Sequence, residues 1–251
     1  MKWVKWILLL FGTLIAVGSI VAGVIERFHQ IQAEKKARAE DKKIHVPCGP
    51  YEKYFKRPLD FALSSFALIV LSPVLLVTSL AVRIKLGSPI VFSQPRPGKD
   101  EKIFRLTKFR SLTNEKDSEG NLLPDEQRMT PFGSWLRSTS LDELLELFCI
   151  QAGSMSIVGP RPLLVQYLDR YTPEQRRRQE VRPGLTGLAQ VNGRNAATWE
   201  EKFTWDIKYV DRITFLGDIK IILKTFKVVL SHEGITGENS ATMTEFMKTV
   251  E

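Results

Sequence analysis

The chain has 251 residues, of which 43% are hydrophobic and 25% charged, so a disordered chain is excluded and a packed core is expected. Its formal net charge of +8 indicates anionic partners: nucleic acid, anionic lipid or phosphorylated substrates. Two widely separated cysteines suit a reducing compartment and lack the spacing of a structural zinc site, for which His45 and Cys48 would supply only half the ligands.

The first predicted element is an apolar run, residues 6–25, close to the ~20 residues needed to cross a bilayer as a helix. A cleaved signal peptide is the alternative, but its apolar region usually spans about 7–15 residues. We therefore predict a retained transmembrane anchor over residues 1–26. Basic residues are more numerous after this run than before it, so the positive-inside rule places the following chain in the cytoplasm.

A second apolar run, residues 61–82, follows a charged linker over residues 27–53. Basic residues flank this run on both sides, so both of its ends are expected on the same side of the membrane. Ser72-Pro73 stands at its middle, where proline removes a helix hydrogen bond. We predict a re-entrant segment, residues 54–84, that enters one leaflet, breaks at Ser72-Pro73 and returns. A kinked helix that spans the bilayer is the alternative.

A cytoplasmic domain is predicted over residues 85–232, and it begins with a β-hairpin. The runs PIVFSQ and KIFRLTKFRSL favour strands and are separated by the turn-forming PRPGKDE. Strand alternation places Lys108 and Arg110 on one face and Phe109 on the other. Such a basic face is either a binding surface or simply solvated.

The segment RSTSLDELLELF, residues 137–148, presents two carboxylates where a helix is expected to begin. Ser140 followed three residues later by Glu143 is the pattern of a capping box, which explains the acidic pair structurally. Asp142 and Glu143 also suit chemistry, because a helix start favours phosphate and an aspartate can attack phosphorus to form an acyl phosphate. The two interpretations are compatible.

Basic residues on turns favour phosphate chemistry in the same domain. Arg161 lies between two prolines, so its guanidinium emerges from a stiff backbone and suits a phosphate or carboxylate. Arg194 follows an Asn-Gly turn, and the chain contains neither a P-loop nor a dinucleotide-binding glycine motif. Together with Lys108 and Arg137, these arginines and the carboxylate pair would suit a diphosphate bound with Mg²⁺, which takes one or two carboxylates plus phosphate oxygens.

The domain ends in a predicted basic amphipathic helix, DIKIILKTFKVVL. One face carries lysines and another apolar side chains, namely Lys220, Lys224 and Lys227 against Ile219, Ile222, Phe226 and Val229. A helix of this kind lies either in the lipid headgroup plane or against the protein core. Residues 233–251 form a polar tail whose composition suits disorder.

Six segments, taken in order, resemble one family, the monotopic polyprenyl-phosphate phosphoglycosyl transferases or bacterial sugar transferases. They are KRPLDF, PIVFSQPRPG, FRLTKFRSL, LRSTSLDEL, SIVGPRPLL and VRPGLTGLAQVNGRN, and the similarity covers about residues 54–230. The resemblance implies transfer of a phosphosugar from a nucleotide-diphosphate sugar, expected to be a UDP-sugar, to polyprenyl phosphate, expected to be undecaprenyl phosphate, with release of UMP. This reaction initiates assembly of a bacterial surface glycan or exopolysaccharide.

The resemblance also implies roles for individual residues. Asp142 would be the nucleophile that forms a covalent phosphosugar adduct, and Glu143 its partner in binding Mg²⁺ or transferring a proton. The implied phosphate-binding residues are Lys108, Arg137 and Arg161, to which the sequence adds Arg194. Ser72-Pro73 matches the break of the family's re-entrant hairpin, and Asp206 and Asp218 fall more loosely near acidic positions of the family.

Two departures from the family pattern stand near the site. The family commonly reads Leu-Pro-Gln-Leu after the acidic pair, where this chain has LLEL over residues 144–147. It commonly reads Gly-Asp-Met-Ser before GPRP, where this chain has GSMS over residues 153–156. They leave open how the local helix continues and how the loop that carries Arg161 is held.

The predicted fold is therefore α+β and mainly helical, with an N-terminal transmembrane helix, a membrane-embedded helix-break-helix and a cytoplasmic catalytic domain with a small β-hairpin and interfacial amphipathic helices. The expected location is the bacterial inner membrane, with the catalytic domain facing the cytoplasm. The alternative function is a catalytically silent, membrane-tethered module that binds nucleotide sugars or lipid. Nucleic acid is not an expected partner, because the arginines lie on turns. Homo-oligomerisation stays open.

Overall fold

The structure is a computed structural model that describes residues 45–193, 197–231 and 245–247. The described chain is mainly helical with two small two-stranded sheets, which confirms the predicted mainly helical α+β class at that level. The predicted anchor over residues 1–26, most of the linker and Arg194 lie outside the described residues. Both cysteines are free, Cys48 exposed and Cys149 buried.

Two consecutive helices meet at the predicted break. A π-helical turn, Tyr51–Phe55, leads into α1, Lys56–Val70, and α2 follows as Ser72–Lys85. The two helices are bent by 63° relative to each other. Pro73 lies in the first turn of α2, where its missing N–H costs no hydrogen bond. Among the described residues no single helix is long and apolar enough to cross a membrane, whereas this bent pair together meets the criteria of length and composition.

Helix α1 turns its polar side chains toward the protein and its apolar side chains outward. Arg57, Asp60 and Ser64 share one helix face and are buried. Asp60 accepts hydrogen bonds from the Ile157 N–H at 3.0 Å and the Ser156 hydroxyl at 2.6 Å, so the polar face is attached to the domain. A second apolar set of the pair packs against the domain, namely Ala67, Leu68, Leu71, Leu75 and Val82. The outward faces carry exposed apolar side chains: Leu63, Phe66, Ile69, Val70, Val74, Leu76, Val77, Leu80 and Ile84.

The predicted hairpin is present and longer than the sequence indicates. Strand β1, Val91–Pro97, pairs antiparallel with β2, Ile103–Phe109. The first strand continues through both prolines of PRPGKDE, which is allowed because β1 is an edge strand and has no partner on its other side within the described chain. Only the 3₁₀ turn Lys99–Glu101 and its flanking residues reverse the chain.

Short helices connect the hairpin to a second sheet. They are α3 at Asp125–Arg128, α4 at Pro131–Ser138, a 3₁₀ turn at Leu141–Leu145 and α5 at Glu146–Gln151. Strand β3, Ser156–Val158, then pairs in parallel with β4, Gly184–Thr186. A Cβ at Gly184 would lie 2.1 Å from the Gly159 nitrogen, so this glycine allows close approach of the two backbones rather than of a ligand.

The remaining helices enclose the second sheet and an aromatic cluster. They are the 3₁₀ turns Val165–Arg170 and Arg177–Glu180, α6 at Pro173–Arg176, α7 at Leu188–Asn192, α8 at Trp199–Asp211 and α9 at Phe215–Ser231. Helix α9 is the predicted amphipathic helix. Ile221 is buried in the core, while Leu223 and Phe226 are exposed, at 63% and 62%. The helix therefore packs against the domain and still presents apolar side chains outward.

Candidate active site

The acidic pair lies on the 3₁₀ turn Leu141–Leu145, between α4 and α5. The predicted capping box is wrong: Ser140 has φ 56°, in the left-handed region, and its side chain makes no cap hydrogen bond. The turn closes through the backbone instead, where the Glu143 N–H donates to the Ser140 carbonyl at 3.2 Å. The Glu143 carboxylate is used elsewhere, because charged donors from other elements bind it more strongly than a backbone amide would.

Glu143 joins the hairpin to the proline-flanked arginine. Its Oε1 accepts from Lys108 Nζ of β2 at 2.6 Å and from Arg161 Nη2 at 2.6 Å. Burial alone would raise the pKa of Glu143, but the charges of Arg161 and Lys108 outweigh burial and hold that pKa well below its ordinary range. Three of the residues that the sequence singled out are thus brought into direct contact.

Glu146 is a third carboxylate of the same cluster, and the sequence analysis gave it no role. It is 2% exposed, and its Oε1 lies 3.0 Å from Lys108 Nζ. Burial and the nearby charge of Glu143 raise its pKa to about 7. The signal in the sequence was the departure LLEL, which places a carboxylate where the family commonly has glutamine.

Asp142 sits beside this cluster without an ion pair of its own among the described residues. It is 7% exposed. Burial, followed by the charge of Glu143, raises its pKa to about 6, while the charges of Lys108, Arg137 and Arg161 act in the opposite direction. The Asp142 carboxylate is therefore mostly ionised at neutral pH and, among the described residues, is not paired with a cation, which is the state a nucleophile needs.

Four further arginines differ in how they relate to the cluster. Arg137 donates to the Ser111 hydroxyl at 2.9 Å, and its charge reaches Asp142. Arg110 does not join Lys108 on a shared face: it lies beyond the end of β2 and donates to the Leu86 carbonyl, so that part of the basic-face prediction is wrong. Arg194 lies outside the described residues. The sequence analysis did not assign a role to Arg96, although Arg96, like Arg161, lies between two prolines. Burial lowers the pKa of Arg96, and the nearby charge of Arg161 lowers it further.

Comparison with known proteins matches the part of the chain that carries the acidic cluster. The family model described as bacterial sugar transferase matches residues 51–232. The chain belongs to the bacterial sugar transferase family. It is 50% identical over 191 residues to the uncharacterized sugar transferase EpsL of Bacillus subtilis, covering 76% of this chain and 95% of that protein.

Two named enzymes match the same part of the chain. A UDP-glucose:undecaprenyl-phosphate glucose-1-phosphate transferase of Klebsiella pneumoniae is 38% identical over 189 residues, which are 71% of this chain and 41% of that protein. An undecaprenyl-phosphate galactose phosphotransferase of Salmonella typhimurium is 35% identical over 202 residues, 72% of this chain and 42% of that protein. The chain thus spans nearly all of the Bacillus protein and about two fifths of these two enzymes.

The two looser family matches, Asp206 and Asp218, do not join the carboxylate cluster. Asp206 accepts from Arg178 Nε at 3.0 Å and Nη2 at 2.8 Å. Asp218 accepts from Lys56 at 2.6 Å and from the hydroxyls of Tyr51 and Tyr209. Both carboxylates therefore stabilise the fold of this sugar transferase.

The carboxylate oxygens of Asp142 and Glu143 are donors of the type that a magnesium ion binds. The described residues hold no group of three or more histidine, cysteine, aspartate or glutamate side chains arranged for a metal. Mg²⁺ needs only one or two protein carboxylates, since phosphate oxygens and water complete its shell. Asp142 suits this requirement because no cation pairs with it among the described residues, and because it is buried beside the negative charge of Glu143. Lys108 and Arg161 both contact the same Glu143 oxygen, and no described residue pairs with the other one.

Proposed function

We propose that this bacterial sugar transferase moves a phosphosugar from a UDP-sugar to undecaprenyl phosphate and releases UMP. The observation that carries the proposal is the buried Asp142 carboxylate, free of ion pairs among the described residues, beside a Glu143 that Lys108 and Arg161 hold. The names of the Klebsiella and Salmonella relatives support the lipid acceptor. Transfer to a lipid carrier would initiate assembly of a surface glycan or exopolysaccharide.

The proposed reaction has two steps with Asp142 as the nucleophile. An Asp142 oxygen attacks the phosphorus that carries the sugar, the bond from this phosphorus to the bridging oxygen breaks, and UMP leaves with that oxygen. An oxygen of undecaprenyl phosphate then attacks the same phosphorus, which restores the Asp142 carboxylate and yields the sugar diphosphate lipid. Splitting the transfer in this way avoids one difficult step in favour of two easier ones.

The basic residues have a positioning and charge-balancing role in this scheme. Lys108 and Arg161 are ion-paired with Glu143, which holds their side chains close to Asp142 before substrate arrives. Donor phosphates placed there would meet a preorganised positive field, to which Arg137, and as predicted Arg194, would add. Asp142 and Glu143 would hold Mg²⁺ with phosphate oxygens, and the ion would neutralise diphosphate charge.

The membrane placement is part of the same proposal. The bent pair α1–α2 turns apolar side chains outward and attaches its polar face to the domain, which is the reverse of a surface helix in water. We place this pair in one leaflet, and Leu223 and Phe226 of α9 at the interface. With the predicted anchor over residues 1–26, the domain would face the cytoplasm at the bacterial inner membrane.

UMP release from protein in nanodiscs tests the function. The protein would be incubated with Mg²⁺, undecaprenyl phosphate and a panel of UDP-sugars, beside Asp142→Asn and a control, Asp169→Asn, at an exposed position. We expect release with native protein and the control, loss with Asp142→Asn, and, when acceptor is omitted, a mass gain of one phosphosugar on Asp142. Donor binding without release from any sugar would instead support the silent module.

A further inference from the structure

The polar tail beyond the family match contains one residue that is buried in the domain. Phe246 is 1% exposed, and its ring packs among four aromatic rings with centroid distances of 5.0–5.8 Å, those of Tyr167, Tyr171, Trp199 and Phe203. The family model ends at residue 232. For residues 245–247, the expectation of a disordered tail is therefore wrong, and the physical reason is burial of an aromatic side chain.

Polar contacts hold the same tail segment in one register. The Phe246 N–H donates to the Tyr167 hydroxyl at 3.3 Å, and Arg170 donates to the Phe246 carbonyl. Glu245 accepts from Gln166 at 2.9 Å and from Arg170 at 2.8 Å. Backbone and side-chain partners together make this contact specific for the tail, beyond simple burial of an apolar ring.

The aromatic cluster is connected on its other side to the candidate active site. Arg178 packs over the rings of Tyr171 and Phe203, with 5.8 Å from its Cζ to each centroid, and donates to the Tyr171 hydroxyl at 3.3 Å. Its Nη2 donates to the Arg161 carbonyl at 2.6 Å. Arg161 in turn contacts Glu143 at 2.6 Å. A continuous path of contacts thus runs from Phe246 to the phosphate-binding arginine.

We propose that residues 245–247 are a positioning element for the active site, in which Phe246 determines the conformation of the loop that carries Arg161. Phe246 packs against both rings that Arg178 contacts, those of Tyr171 and Phe203, and Arg178 donates to the carbonyl of Arg161 and so fixes the backbone from which Arg161 projects. Among the described residues, 245–247 make no contact with Asp142, Glu143 or Lys108, so their effect passes through the loop. This inference rests on the proposed function only for its kinetic consequence.

Three full-length variants in nanodiscs test this role. Phe246→Ala removes the ring at the centre of the aromatic cluster, Arg170→Gln weakens the hydrogen bonds to the tail without opening the core, and Asp169→Asn changes an exposed residue next to Arg170 as the control. In hydrogen exchange, we expect faster exchange of the Arg161, Leu163 and Leu164 amides, since Pro162 has none, in the first two variants only. We also expect KM for the UDP-sugar to rise about tenfold with a smaller change in kcat, because Arg161 would bind donor phosphate in both ground and transition states.

A rescue experiment separates positioning from simple loss of stability. A synthetic peptide of residues 240–251, added to Phe246→Ala protein, should restore slow exchange at residues 161–164, and the same peptide with Phe246→Ala should not. A lowered melting temperature with exchange at residues 161–164 and KM unchanged would overturn the proposal. If the native protein shows no turnover, the proposed function fails, while the exchange and rescue measurements still decide the role of the tail.

Discussion

Two buried groups of charges lie on either side of Arg161, and they are built differently. On one side, Arg178 and Asp206 form a matched pair, in which two guanidinium nitrogens bind one carboxylate oxygen at 3.0 and 2.8 Å. Arg178 also donates to the Tyr171 hydroxyl and the Arg161 carbonyl. Burial lowers the pKa of Arg178, but Asp206 and Tyr171 outweigh it, so the guanidinium stays charged.

On the other side, carboxylates are crowded. Lys108 lies within 3.0 Å of both Glu143 and Glu146, and Asp142 stands beside them with no ion pair among the described residues. Burial and the charge of Glu143 raise the pKa of Asp142 to about 6 and that of Glu146 to about 7. Each charge of the matched pair has a close partner, whereas carboxylates crowded around a shared lysine oppose folding until a substrate or ion arrives.

The largest expected effect is on catalysis at Asp142. Replacing Asp142 with asparagine removes the nucleophile and should reduce UMP release by at least about 10³-fold. The same change relieves crowding, so the melting temperature should stay the same or rise. Release measured with excess donor, together with a thermal scan, checks both parts. Activity within tenfold of the native rate would show that Asp142 is not the nucleophile.

Breaking the matched pair should destabilise the protein strongly. Asp206→Asn leaves the buried Arg178 guanidinium without its counter-charge, which typically costs about 3–5 kcal/mol. Chemical denaturation of the nanodisc-bound protein measures the loss. The double variant Arg178→Met with Asp206→Leu removes both charges and should recover much of the stability. A single variant as stable as the native protein would contradict the comparison.

The opposite sign is expected at Glu146. Its pKa is raised in the folded state from an ordinary value near 4.5 to about 7, so it opposes folding as pH rises from about 4 through 7. Glu146→Gln should therefore stabilise Mg²⁺-free protein near pH 7.5 by about 3 kcal/mol and have little effect near pH 4. Thermal scans at both pH values measure the difference. Destabilisation at the higher pH would mean that Lys108 depends on Glu146.

The smallest effect is expected at His45, which forms ion pairs with Glu52 and Glu180 at the edge of the domain. Hydrogen bonds to Glu180 and then Glu52 raise its pKa from 6.5 to about 9. Protonated His45 therefore adds stability that is fully present below about pH 6.5 and is lost as pH rises to about 9. His45→Gln should cost about 1 kcal/mol near pH 6 and nothing above pH 9. A loss that does not vary with pH would indicate a steric cause.

Features governed by short-range sequence signals were predictable. The hairpin follows from β-rich runs around a turn, and the helix break follows from Pro73 within an apolar run. The cluster of Lys108, Glu143 and Arg161 was assembled from family motifs, which carry tertiary information that spacing alone does not. The roles of these residues stay predictions.

Features set by tertiary contacts were missed or wrong. The Ser140 capping box failed because charged partners from β2 and the proline-flanked loop take the Glu143 carboxylate. A glutamate in a helix is expected to be exposed, and only the fold shows that Glu146 is buried against Lys108. Phe246 stands alone in a polar tail, and only the fold shows the aromatic rings that receive it.

The inward polar face of α1 has a geometric consequence for the acceptor. Arg57 of α1 donates to the Ile150 carbonyl at 2.7 Å, and Ile150 belongs to α5, which begins directly after the turn Leu141–Leu145 that carries Asp142. On the proposed membrane placement, this short rigid connection sets the height of Asp142 above the bilayer, as a ruler would. The phosphate of the proposed lipid acceptor would then reach the level of Asp142 by lateral diffusion, so that its search for this residue would take place in two dimensions.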